Sequence, residues 1–170
     1  MTSLGHVLLL LGRFRDATAA FDASKKLDPQ YAGALNGLAE ALLRQEREPQ
    51  RALLLLENAI NLKQGNVRTR NMDRHNLANM WANRALALAM LGRIDEAASA
   101  VTTARYEGDA AFIPGLASTA WRCGLALLRM NQAAAAYEQF RKAAEMDPNG
   151  LYGKFSASAM QEQHAARVQR

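Results

Sequence analysis

A chain of 170 residues suits one compact domain or one short solenoid, and 49% apolar against 22% charged residues is the composition of a folded protein, not a disordered one. Four prolines and abundant Ala, Leu, Arg, Gln and Met favour helix almost throughout, so no sheet is expected. The formal charge of +5 is a mild excess whose members mostly interleave as a solvated surface does, and a single cysteine excludes an intramolecular disulfide framework.

At its start the chain offers the apolar run Val7, Leu8, Leu9, Leu10 and Leu11, followed by Ala17-Thr18-Ala19, which imitates a signal-peptidase site. No positive charge precedes the run, and it is far shorter than the apolar core of a secretory signal. No stretch approaches the ~20 apolar residues that cross a bilayer. A soluble, cytoplasmic protein is the expectation.

From Ala17 onward a helix signature recurs four times with the same internal steps of four and three: Ala17, Phe21, Ser24; Ala52, Leu56, Ala59; Ala97, Val101, Ala104; Ala136, Phe140, Ala143. Such steps put three side chains on one helix face. Five residues after each copy come Pro29, Gln64, Asp109 and Pro148, where the helices are predicted to end or turn. Upstream of each copy a partner helix carries a small residue: Gly5, Ala85 and Gly124 precede Ala17, Ala97 and Ala136 by twelve, and Ala39 precedes Ala52 by thirteen. One extra residue in the turn between Arg44 and Gln50 accounts for the exception. Small residues so placed let two antiparallel helices approach closely, with the aromatic or large aliphatic residue filling the gap beside them. Helix hairpins are therefore expected over about 1–29, 30–64, 72–109 and 111–148.

This pattern resembles the tetratricopeptide repeat, W-x2-L-G-x2-Y, then A-x3-F, then P. Leu35, Leu38, Ala39 and Leu42 stand in for the first part, as do Met1, Leu4, Gly5 and Leu8, and Trp81 occupies the Trp place of the third copy. Leu11-Gly12-Arg13-Phe14-Arg15-Asp16-Ala17 and Leu91-Gly92-Arg93-Ile94-Asp95-Glu96-Ala97 look like the family's inter-helix turn. The resemblance implies an all-α, right-handed superhelical solenoid of about four hairpins. Arg84 and Cys123 depart from the pattern where the family has Leu, so the third hairpin is expected to pack less regularly. Extra residues over 65–74 and 111–115, with Asn71 and Asp73 as a helix cap and Pro114 in a first turn, predict kinks in the array.

After Asn149-Gly150 a closing helix is predicted over about 150–167, with Tyr152, Phe155 and Ala159 on one face and a polar later part, as suits the capping element of a solenoid. The opening helix has no such cover. Its run Val7, Leu8, Leu9, Leu10 and Leu11 is apolar all round and is expected to meet a second copy or an upstream segment.

Catalytic and cofactor motifs are missing. His6, His75 and His164 lie far apart beside one cysteine, without metal-ligand spacing, and no G-x-S-x-G, phosphate loop or dinucleotide fingerprint occurs. Cys123 sits among apolar residues and reads as a buried inert thiol, and Asp95 and Glu96 as helix-start residues favoured by the helix dipole. No enzyme activity, cofactor or metal is expected. By resemblance, the first helix of each hairpin lines a concave groove that binds a peptide or protein partner, and the matching positions are His6, Asn36, Glu40, Asn79, Asn83, Arg122 and Arg129, with Trp121 nearby. Amides can hold a peptide backbone and arginine a carboxylate. One subfamily clamps a terminal carboxylate with five such residues. Only Asn83 and Arg122 match it, Asn36, Glu40 and Ser118 do not, and Glu40 would repel a carboxylate, so chaperone-tail binding is not expected. Two alternatives stay open. The basic segment 63–74 (Lys63, Arg68, Arg70, Arg74) could meet nucleic acid or phosphate, although no aromatic residues interleave with it for stacking, and the chain could be the regulatory repeat segment of a larger enzyme.

Overall fold

Apolar residues at steps of three and four pair the chain into antiparallel helices in its computed structural model, which describes residues 2–64, 74–109 and 117–168. The pairs are α1 (Thr2–Leu10) with α2 (Phe14–Leu27), α3 (Ala32–Arg44) with α4 (Pro49–Gln64), α5 (Arg74–Met90) with α6 (Ile94–Asp109), and α7 (Ala117–Arg129) with α8 (Ala133–Met146). A further helix, α9 (Leu151–Val168), follows the last pair. Among the described residues there is no strand.

The turns inside the hairpins repeat one backbone device. Arg13 N–H bonds Leu8 C=O at 2.9 Å and Gly12 N–H bonds Leu9 C=O at 3.1 Å, a crossed pair that satisfies the orphan carbonyls of a helix end. The same pair recurs from Arg93 and Gly92, from Gln132 and Asn131, and from Arg47 and Glu46. The residue at the bend must adopt positive φ: Gly12 (72°), Gly92 (74°), Asn131 (59°) and Glu46 (54°). Between α3 and α4 the turn holds four residues, 45–48, against three in the others, and Glu48 takes a second positive φ of 51°. That is the extra residue expected between Arg44 and Gln50.

The helices lie in two layers. α1, α3, α5, α7 and α9 each touch the next member of the series and form the inner layer; among the described residues, α2, α4, α6 and α8 touch only inner-layer helices. The result is an all-α helical-repeat solenoid. Its core follows the predicted signature: Ala17, Ala52, Ala97 and Ala136 are fully buried, as are Phe21, Leu56 and Phe140, with Val101 nearly so. A Cβ on Gly5 would lie 2.7 Å from the Phe21 ring and one on Gly37 only 2.2 Å, so this ring is seated on the bare backbones of two successive inner helices. Phe140 uses Gly124 likewise, at 2.4 Å.

At Arg84, where the α5–α6 hairpin is expected to pack less regularly, the guanidinium lies over the Trp81 ring at 5.2 Å and reaches Glu57 of α4 at 3.5 Å. One expectation is corrected. The opening run is not uniformly open: Leu8 and Leu9 are buried in the core and cannot form a self-association surface, whereas Leu4, Val7, Leu10 and Leu11 are exposed. The kinks expected at 65–74 and 111–115, with Asn71, Asp73 and Pro114, lie outside the described residues except for Arg74, which begins α5.

Candidate functional site

The inner layer brings together most of the polar residues expected in the groove, but it turns them toward one another. On α3, Asn36 and Glu40 are one turn apart; on α5, so are Asn79 and Asn83; on α7, Ser118, Thr119 and Arg122 face them. Asn83 Nδ2 donates to Asn36 Oδ1 at 3.0 Å. Asn79 Oδ1 accepts from Ser118 Oγ at 3.0 Å, Thr119 Oγ1 at 2.8 Å and Arg122 Nη1 at 3.3 Å. Arg122 Nη1 also donates to the Ser118 carbonyl at 2.9 Å, and Nη2 donates to both Glu40 carboxylate oxygens at 2.8 Å. The Tyr152 hydroxyl of α9 lies 3.5 Å from Nη2.

Glu40 and Arg122 are each 6% exposed and Asn83 1%. Burial alone would lower the basicity of the Arg122 guanidinium, but Glu40 and Tyr152 outweigh it and raise it above its ordinary value. The Arg122 guanidinium therefore stays charged, and a buried charge left without its partner costs about 3–5 kcal/mol. Asn83, Glu40, Arg122 and the buried Trp121 are thus corrected as groove residues. Asn83 Nδ2, the Glu40 carboxylate and both Arg122 Nη atoms are bonded within the chain, the Trp121 ring packs on Phe155, and Arg122 Nε is buried without a hydrogen-bond partner among the described residues. Asn36 and Asn79 are half-buried members of the same network. His6 stands apart, exposed, with its ring on the edge of Phe21 at 5.1 Å.

The opposite half of the inner face stays open. Where α3, α5 and α7 end, Leu43, Leu86, Met90, Leu125 and Leu128 surround a cleft of about 240 Å³ rimmed by Arg44, Glu46 and Arg129. Arg129 pairs with Glu46 across the mouth. Arg44 has no carboxylate in ion-pair reach among the described residues; its guanidinium lies 4.6 Å from the Trp121 ring, 5.1 Å from Phe14 and 6.0 Å from Phe155. Burial, with Arg122 close by, holds it below its ordinary basicity against the pull of Glu40. Trp121 in turn packs, with tilted rings, on Tyr152 and Phe155 of α9 at 5.8 and 5.5 Å.

Sequence reasoning missed Arg44, which stands at a turn, and the aliphatic floor of the cleft. Leu86 lies one residue past the small Ala85, and Leu125 one past Gly124, a register that marks inner-face positions once the hairpin is known. Cys123 is buried and burial pushes its thiol up to about 12, so it is inert at neutral pH. Among the described residues no group of three or more His, Cys, Asp or Glu could hold a metal ion, and no helix is long and apolar enough to cross a membrane. Most of the basic segment 63–74 lies outside the described residues; Arg74 is within 3.6 Å of Glu107.

Paired helices, a shared turn and an inner face with one open end define a helical-repeat interaction module. Residues 117–149, which hold α7, α8 and the start of the link to α9, match the tetratricopeptide repeat family, and the resemblance drawn from the sequence stands on that hairpin. No curated protein matches the chain.

Proposed function

We propose that this chain is a non-catalytic protein-protein interaction scaffold that receives its partner at the open end of the inner face. The observation that carries the reading is the division of that face: the polar half is largely bonded within the chain, with Arg122 Nε left over, and the aliphatic half forms an open cleft. Substituting Leu128→Trp, at a half-buried position on the floor of the cleft, fills the space. Affinity capture from native lysate should recover discrete partner proteins with the wild type and lose them with this variant. Identical captured sets would place the binding surface elsewhere.

A second reading concerns α1. Leu4, Val7, Leu10 and Leu11 leave an apolar strip on one helix, which a second copy would cover. Sedimentation should then show a dimer that Val7→Glu abolishes, and a strictly monomeric species at high micromolar concentration would end this reading.

A further inference from the structure

Packing within the chain does not account for Arg44. Trp121, Phe14 and Phe155 surround its guanidinium, yet no hydrogen bond or ion pair uses its N–H donors among the described residues. Both nearby carboxylates are committed, Glu40 to Arg122 through both oxygens and Glu46 to Arg129. Across the cleft and its inner wall, Arg44, Arg122 and Arg129 face Glu40 and Glu46, so one positive charge is left over, and it is that of Arg44. A partly desolvated guanidinium binds an incoming carboxylate more strongly than an exposed one does, because part of the dehydration is already complete in the free protein. The aliphatic floor of Leu43, Leu86, Leu125 and Leu128 lies beside it, with space for one or two side chains but less than a cofactor-sized ligand needs.

Resting on the scaffold reading, we propose that the cleft takes a segment of a partner protein in which an aliphatic side chain stands beside a carboxylate. The side chain enters the cleft and the carboxylate meets the N–H edge of Arg44. Hydrophobic burial supplies affinity and the Arg44 cation selects sequence.

The test uses the full chain and a fluorescein-labelled peptide, Gly-Ser-Gly-Glu-Leu-Asp-Gly-Ser-Gly, read by fluorescence anisotropy. Two companions carry Gln-Leu-Asn or Glu-Ser-Asp at the centre. The first peptide should bind saturably, and each companion at least about tenfold more weakly. Arg44→Gln should lower affinity for the acidic peptide about tenfold and leave that for the Gln-Leu-Asn peptide unchanged, the signature of direct coupling. Equal binding of the acidic and amide peptides to the wild type would overturn the proposal, and this arm needs no altered protein. Failure of all three peptides, with capture still lost in Leu128→Trp, would overturn the acidic-aliphatic chemistry and leave the scaffold reading standing. The chain also carries an exposed Leu27 followed by Asp28. A concentration-dependent dimer abolished by Leu27→Ser would assign the cleft to a second copy and overturn the partner-protein assignment.

Discussion

The two halves of the inner face are built on the same three helices and behave oppositely. In one, Asn36, Glu40, Asn79, Asn83 and Arg122 bond one another, and Glu40, Asn83 and Arg122 are buried. In the other, leucines and Met90 ring a cleft whose cation, Arg44, has found aromatic rings but no anion. A polar groove residue is therefore not by that fact a binding residue. What matters is whether its donors and acceptors are still available once neighbouring repeats have curved around it.

The sharpest way to break the comparison is Glu40→Ala. It leaves Arg122 charged and buried without its partner, and should cost about 3–5 kcal/mol in urea denaturation. Replacing both partners, Glu40→Leu with Arg122→Met, should recover much of that loss, since an apolar pair of similar volume needs no compensation. If the single variant is as stable as the wild type, the pair is not dry and the closed half is open after all.

Cys123, on the buried side of α7, gives a smaller effect with a definite sign. Its thiol is held up to about 12 in the folded chain, against about 8.5 in an unfolded one, so the unfolded state loses its proton first as pH rises. Any stability linked to this group is fully present below about pH 8.5 and is lost between there and 12. At pH 10 the loss should be about 2 kcal/mol relative to pH 7. Cys123→Ala should flatten the profile, and an unchanged slope would mean that other groups control it.

In the open half the expected costs to folding are lower. Arg44→Gln should reduce stability by about 1 kcal/mol through lost stacking on Trp121. It should also change the tryptophan emission, because the guanidinium lies over the Trp121 ring. Arg129→Ala, which breaks an exposed pair with Glu46, should cost about 0.5 kcal/mol, and a larger loss would show that the mouth of the cleft is structural.

The hairpins were legible because close backbone approach leaves so few options. Gly5 and Gly124 announce a ring seated on bare helix, and the twelve-residue spacing to Ala17 and Ala136 follows from one turn geometry. Even there Gly37, the second seat of Phe21, escaped notice, because it serves the neighbouring hairpin and not its own. The site was less legible. Glu40 and Arg122 are 82 residues apart, and whether they meet depends on how the three intervening helices stack, which no local spacing encodes. Arg44 owes its character to Phe14, Trp121 and Phe155 from three other helices.

In a simple solenoid each repeat touches only its neighbours, and the array can stretch and recoil like a spring. Here α3 and α7 share no backbone contact, yet Glu40 and Arg122 join them past α5. That bond works as a hasp: elongation would have to pull two buried charges apart before the coil could give. The molecule should therefore resist extension up to a threshold force and then yield in one step, a rigid bracket rather than an elastic one.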